Sequence, residues 1–160
     1  MHGPSVLPHI TAHMEGRGKP QSGPLDGEGR RSLYLNARRN FLTPMLLAFD
    51  YPVTFTPIGR RGTSAIPAQA LTLMNDPFVL AEARRWAERI REEAGLSTEQ
   101  RIGKLFETAF ARQPTADELT DAIDFLQSQS LRHSTGSDDA RVWTDLCHVL
   151  INVKEFIFIE

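Results

Sequence analysis

A helix, a sharp corner and a second helix are predicted by the stretch Gly59–Phe78, GRRGTSAIPAQALTLMNDPF. Pro67 has a fixed φ and no amide hydrogen, which suits the first turn of a helix. The residue before a proline is disfavoured in the α region, so Pro77 ends this helix near Asn75. Asp76 then caps the amino terminus of the next helix. This corner separates an irregular, Arg-rich half of the chain from a regularly helical half.

Four helices are predicted from the corner onwards, because apolar residues recur there every three or four positions. Ser97 with Gln100, and Thr115 with Glu118, have the spacing of a capping box and begin the second and third of these helices. The predicted cap of the fourth helix is Ser137 or Asp138. The predicted helices cover residues 77 to 93, 97 to about 112, 115 to about 130, and 139 to about 152.

The last of these helices is apolar on more than one side, which is typical of a helix at the centre of a core. Its apolar residues are Val142, Trp143, Leu146, Cys147, Val149, Leu150 and Val153. The predicted fold class is therefore mainly α, a small orthogonal helical array that occupies residues 32–160 together with a mixed Arg-rich segment. Residues 1–31 contain six glycines and four prolines, and they are predicted to form an irregular arm.

The two halves of the chain carry opposite charge. Residues 1–66 have 8 Lys/Arg and 4 Asp/Glu, so their net charge is +4, whereas the remaining 10 Lys/Arg and 16 Asp/Glu give −6. Opposite charges favour docking within one polypeptide. Nucleic-acid binding normally requires a stronger basic bias, so no nucleic-acid partner is predicted.

Cys147 is the only cysteine in the sequence, so an internal disulfide is excluded. His148 follows it, but covalent haem attachment needs a second cysteine where Thr144 stands, so no cofactor is predicted in this chain. No apolar run approaches the ~18 residues of a membrane span. The first residues lack the basic and apolar regions of a signal peptide, which leaves the localisation of the chain unknown.

Three arginine doublets in the first half are candidates for an anion-binding site, because guanidinium forks bind carboxylate and phosphate bidentately. They are Arg30 with Arg31, Arg38 with Arg39, and Arg60 with Arg61. The alternative, which we favour, is that they are surface charges or tie irregular loops to the acidic half. Asp117, Asp121 and Asp124 share one helix face but lie opposite an apolar stripe, so we interpret them as a solvated face. His9 and His13 are interpreted as loop histidines, and no catalytic or metal site is predicted.

The chain ends in FIFIE. An exposed edge made of Phe156 to Ile159 would promote aggregation, so these residues are predicted to be covered. The predicted partner is the rest of a parent polypeptide, or another protein, bound at this apolar segment.

Several motifs, in order and spacing, resemble a planctomycete-specific carboxy-terminal domain of unknown function. They are GPSV at the start, RRSLY ending at Tyr34, PMLLAFD at 44 to 50, PAQALTLMNDPFV at 67 to 79, ARQPTADEL at 111 to 119, and LCHVLINVKEFI at 146 to 157. The resemblance implies that this chain is the last part of a larger domain, found at the end of large exported proteins that often carry a c-type cytochrome domain. It also implies an extracytoplasmic location for those longer relatives.

The resemblance also draws attention to polar positions within the matching motifs. Besides Arg30, Arg31 and Arg60, these are Ser32, Asp50, Gln69 and Asn75. The function favoured by the sequence is a non-catalytic docking or scaffold module of a larger extracytoplasmic protein. Two alternatives stay open. One is part of an enzyme, for example a hydrolase, that clamps an anionic or polysaccharide-related substrate with its arginine doublets, and the other is a self-contained helical adaptor.

Overall fold

The computed structural model describes residues 3–10, 20–38, 41–51 and 67–157. These residues are mainly α-helical, which confirms the predicted fold class. Their helices are α1 (Pro44–Ala48), α2 (Pro67–Asn75), α3 (Pro77–Glu92), α4 (Thr98–Phe110), α5 (Ala116–His133), α6 (Ala140–Asn152) and α7 (Lys154–Ile157). The chain divides into two compact units: Met1–Thr72 with Asp76–Phe78, and Leu73–Asn75 with Val79–Glu160.

The first unit is held together by main-chain hydrogen bonds between irregular segments. Val6 N donates to Tyr34 O (2.9 Å), and Asn36 N donates to Val6 O (2.8 Å), which makes an isolated parallel bridge. Gly23 N donates to Pro8 O (3.0 Å). A side chain at Gly23 would overlap the Leu7 carbonyl oxygen, so only glycine permits this close approach. Main-chain hydrogen bonds between separate segments therefore hold the described part of this Gly/Pro-rich region.

Short local turns and the helix α1 lie between the irregular segments of the first unit. Ser32–Tyr34 forms a 3-10 turn, and Leu35 beside it is extended and bridges Val6. Periodicity cannot distinguish a strand from a helical turn in a run as short as Leu33–Leu35, and the structure has a helical turn followed by an isolated bridge. Pro44, like Pro67, has the fixed φ that suits a first helical turn, and α1 begins there. The sequence also predicts an extended segment at Thr54–Thr56, which lies outside the described residues.

The predicted corner is confirmed. α2 ends at Asn75 and α3 begins at Pro77. The Asp76 carboxylate accepts a hydrogen bond from Phe78 N at 2.9 Å, so it satisfies one of the amides that a helix start leaves without a partner.

Both predicted capping boxes are present in the second unit. Gln100 N donates to Ser97 Oγ (3.3 Å) while Ser97 N donates to the Gln100 side chain (2.9 Å). Thr115 and Glu118 exchange the same pair of bonds at 3.3 and 2.8 Å. These reciprocal bonds fix the starts of α4 and α5.

The predicted cap of α6 was wrong. Asp139 caps the helix by accepting a hydrogen bond from Arg141 N (2.9 Å), rather than Ser137 or Asp138. The Asp138 carboxylate is instead engaged by Arg101 at 2.7 Å. The preceding helix also runs to His133, three residues further than predicted.

The core of the second unit forms around α6, which packs against α4, α5 and α7. Trp143 is 1% exposed and Leu150 is 4% exposed, so the predicted central position of this helix is confirmed. The apolar stripe that helical spacing predicts on α3 is also buried; its residues are Val79, Ala83, Trp86 and Ile90. Val149 and Val153 depart from the expectation, since both lie on the exposed side.

Candidate functional site

A cleft of about 360 Å³ lies in the first unit, between residues 4–7, residues 21–24 and the side chains of Glu28 and Arg30. Among its described lining residues, Arg30 is the one member of the predicted doublets. The Arg30 guanidinium donates to the carbonyl of Pro4 and lies over the Tyr34 ring, 4.4 Å from its centroid. The Arg30 guanidinium therefore already uses part of its hydrogen-bonding capacity on a main-chain carbonyl of the same unit.

Of the other five arginines of the doublets, two lie within the described residues, Arg31 and Arg38. Arg38 donates to the Gln21 carbonyl at 3.3 Å, and Arg31 is exposed. Arg39, Arg60 and Arg61 lie outside the described residues. Arg30 and Arg38 thus each hold a backbone carbonyl of the irregular segments, and convergence of the doublets on an anion stays a prediction.

The polar residues of the resembling motifs have different environments. Gln69 on α2 is buried, at 9% exposed, whereas Asn75 at the end of that helix is exposed. Asp50 follows α1 with φ of +58°, a conformation that Asp tolerates better than most residues. The Ser32 carbonyl accepts a hydrogen bond from Leu35 N at 3.0 Å and closes the 3-10 turn. The features described for Asp50 and Ser32 therefore belong to the main chain: a positive φ at Asp50 and a turn-closing hydrogen bond at Ser32.

A two-arginine cluster, formed by Arg91 of α3, Arg101 of α4 and Asp138 before α6, was not anticipated from the sequence. Arg101 Nη1 lies 2.7 Å and Arg91 Nε 3.8 Å from the same carboxylate oxygen, Asp138 Oδ1. The Arg101 guanidinium also lies 5.8 Å from the Trp143 ring centroid. Charge patterning along one helix does not reveal this cluster, because its members are up to 47 positions apart in the sequence, from residue 91 to residue 138.

Arg112 forms a second cluster, at the turn between α4 and α5. It makes two hydrogen bonds to Glu118, at 2.8 and 2.7 Å, and two to Glu155 of α7, both at 2.8 Å. The hydrogen bonds from Arg112, together with the Thr115 amide, lower the pKa of Glu118 to about 2. The guanidinium also lies near the rings of Phe106 and Phe110. All of its strong contacts are internal, so we assign it a structural role.

Two histidines connect helices of the second unit. His133 Nε2 donates to the Asp145 carboxylate at 2.7 Å, which links α5 to α6. His148 Nε2 donates to the Leu73 carbonyl at 3.0 Å, which links α6 to the end of α2. His9, in the first unit, lies 3.3 Å from the Gly23 carbonyl. His13, its predicted companion, is outside the described residues.

Cys147 is fully buried, and desolvation raises the pKa of its thiol to about 12. A thiol of this kind is neutral at neutral pH and is a poor nucleophile. Asp117, Asp121 and Asp124 are exposed on α5, as the sequence indicated. Within the described residues, no three His, Cys, Asp or Glu side chains gather closely enough to hold a metal ion. The helices described there are also too short or too polar to cross a bilayer.

An exposed apolar stripe lies at the carboxy-terminal end of the second unit. It consists of Val149, Val153 and Phe156, which are 44%, 37% and 44% exposed. Phe156 belongs to the helical turn α7, so the strand-like edge expected there is not formed at this residue. Phe158 and Ile159 lie outside the described residues.

Residues 1–126 match the sequence profile of a family described as PSD1, a protein of unknown function (DUF1553). The chain belongs to the PSD1 family. The match includes most of the motifs noted above and ends within α5, before the LCHVLINVKEFI segment. No curated protein and no solved structure matches this PSD1 chain. Membership therefore establishes kinship, and the PSD1 description assigns no reaction.

Proposed function

We propose that this PSD1 chain is a non-catalytic docking module of a larger extracytoplasmic protein, in which it binds another part of the same polypeptide. The observation that carries the proposal is the apolar stripe of Val149, Val153 and Phe156, each more than a third exposed. Several exposed apolar side chains within one short stretch of chain, beside polar ones, are typical of protein interaction sites. Val149 lies on α6, Val153 is the extended residue that ends α6, and Phe156 lies on α7, so the three belong to one short stretch of the chain.

The occupant we propose is an apolar, positively charged segment of the parent polypeptide. Residues 67–160 carry 16 acidic and 10 basic side chains, which favours a basic partner. Glu155, next to Phe156, already binds Arg112, which holds the turn that presents the aromatic ring. The resemblance to domains at the end of large exported planctomycete proteins, often with a c-type cytochrome domain, supports a partner within the parent chain and an extracytoplasmic location.

The test uses the polypeptide encoded upstream of this chain in the same gene, produced separately and mixed with the chain. We expect saturable binding by calorimetry and co-elution in size-exclusion chromatography. Changing Phe156→Asp together with Val149→Asp should weaken binding at least about tenfold, because truncated or charged anchors at an interface typically have such effects.

Leu80→Asp is the matched control, since Leu80 is 41% exposed on α3 and outside the stripe. It should leave binding unchanged. The proposal is wrong if no further domain is encoded upstream, if the upstream polypeptide does not bind, or if Leu80→Asp weakens binding as much as the stripe variant. Self-association of the chain through the stripe would also contradict the proposed occupant.

A further inference from the structure

The two-arginine cluster has more donors than acceptors, although Arg101 Nη2 also donates to the Arg91 carbonyl at 3.4 Å. Arg91 and Arg101 share one carboxylate oxygen of Asp138, at 3.8 and 2.7 Å. The neighbouring Asp139 is engaged by Arg141, which is the main cause of its lowered pKa. We propose that the cluster is a binding site for a small oxyanion, a phosphate or carboxylate group, and that Asp138 occupies it in the free chain.

Buried N–H groups without acceptors support this assignment. Arg91 Nε, Arg101 Nε and Trp143 Nε1 are all buried and have no hydrogen-bond partner among the described residues. Trp143 is 1% exposed, and the Arg101 guanidinium lies over its ring. Buried side-chain donors are satisfied in the large majority of cases, so the two arginine Nε groups that lack acceptors beside one carboxylate indicate a missing acceptor. Thr135, in the loop that carries Asp138, has a fourth buried unpartnered atom.

The Asp138 oxygen forms a hydrogen bond with only one of these two arginines. The 2.7 Å contact with Arg101 is a charge-assisted hydrogen bond, whereas 3.8 Å to Arg91 is too long for one. A phosphate presents several oxygens in different directions, and a ligand carboxylate can bind in a position that the backbone of Asp138 does not allow. Either group can accept from both guanidinium forks at once.

The ligand can reach the cluster from the side of the loop at residues 134–138. The Asp138 side chain is 69% exposed, and Gly136 and Ser137 are also exposed. The Arg101 and Arg91 side chains beneath it are 16% and 29% exposed. Rotation of Asp138 into solvent therefore opens the guanidinium groups, and the incoming oxyanion replaces one carboxylate with another acceptor of the same charge sign.

Calorimetric titrations with inorganic phosphate, and separately with acetate, test the proposal at constant ionic strength adjusted with chloride. Asp138→Asn removes the competing charge and should lower the dissociation constant of the bound anion about tenfold, the value of one charge-assisted hydrogen bond. Arg101→Gln should raise it at least about tenfold by the same reasoning. A tighter response to phosphate identifies a phosphate ligand, and a tighter response to acetate identifies a carboxylate ligand.

Arg84→Gln is the matched control, because Arg84 is 74% exposed and pairs with Glu88 on the outside of α3. It changes the net charge as Arg101→Gln does, and anion binding should stay unchanged. If Arg101→Gln does not fold, as judged by circular dichroism, the Asp138→Asn comparison decides alone. The proposal is overturned if neither anion binds saturably to Asp138→Asn, if this variant binds no more tightly than the natural chain, or if Arg84→Gln weakens binding equally.

Discussion

Arg112 and Glu155 are 43 residues apart in the sequence, yet their side chains are joined by two hydrogen bonds of 2.8 Å. The same guanidinium binds Glu118 at the start of α5. One arginine therefore fastens the end of α4, the start of α5 and the short helix α7. Because α7 has a single turn, it depends on such contacts more than on its own helical hydrogen bonds.

Acid should weaken the fold partly through Glu118. Its pKa is about 2 in the folded chain and 4.5 in the absence of these contacts, so the unfolded chain binds more protons as the pH falls. This contribution to the free energy of unfolding is complete above pH 4.5 and is lost as the pH falls towards 2. The Glu155 pKa is lowered by Arg112 and acts in the same direction. Urea denaturation at several pH values measures the loss.

Arg112→Gln should reduce stability at neutral pH and flatten the acid dependence between pH 4.5 and 2, because Glu118 loses its main hydrogen-bond donor. Arg112→Lys retains the charge but loses the bidentate geometry. Its free energy of unfolding should therefore lie between those of the natural chain and Arg112→Gln. Arg84→Gln alters the net charge equally without touching Glu118 or Glu155. An unchanged acid dependence in Arg112→Gln would contradict this account.

The capping box at the start of α5 should contribute measurably to stability. Thr115→Ala removes the hydroxyl that accepts from Glu118 N and should lower the free energy of unfolding by about 1 kcal/mol. The measurement is chemical denaturation monitored by circular dichroism. Thr120→Ala is the control on the same helix, because its hydroxyl donates only to the Ala116 carbonyl. This control should change stability by less than about 0.5 kcal/mol, and equal losses in both variants would contradict the role of the cap.

The local features of the fold could be predicted from the sequence. Proline at a first turn, Asp76 before Pro77 and the two capping boxes act through neighbours within about four residues, so their patterns are visible in the chain itself. The same applies to the burial of Trp143 and Leu150, since both follow from helical periodicity.

The arginine clusters of the second unit could not be predicted in this way. Arg101 and Asp138 are 37 residues apart, and Arg112 and Glu155 are 43 apart, so their pairing depends on how the helices pack. The predicted cap of α6 was wrong for the same reason. Three adjacent polar residues can cap this helix, and the sequence does not show that Arg101 engages one of them, Asp138. The predicted anion site was based on arginines that are adjacent in the sequence. The clusters in the structure are instead formed by single arginines whose partners are distant in the sequence.

Cys147 should be inert in the folded chain. Its side chain is fully buried and its pKa is raised to about 12, so a thiolate is scarce at pH 8 and reagents cannot reach it. Labelling with a thiol-specific disulfide reagent should proceed only through unfolding and should accelerate sharply across the urea transition. Above pH 9 the unfolded chain releases this proton more readily than the folded one, so stability should fall as the pH rises. Rapid stoichiometric labelling under native conditions would contradict the assigned position.

Substitutions at Leu126 and Leu131 compare a buried and an exposed leucine on the same helix, α5. Leu126 is 1% exposed and Leu131 is 81% exposed, although both are leucines of α5. Leu126→Ala removes buried methyl groups and leaves a cavity, so it should lower the free energy of unfolding by about 2–5 kcal/mol. Leu131→Ala should change it by less than about 0.5 kcal/mol, because its side chain is already in solvent. Urea denaturation of both variants gives the comparison, and similar losses at the two positions would show that α5 presents a different face to α6.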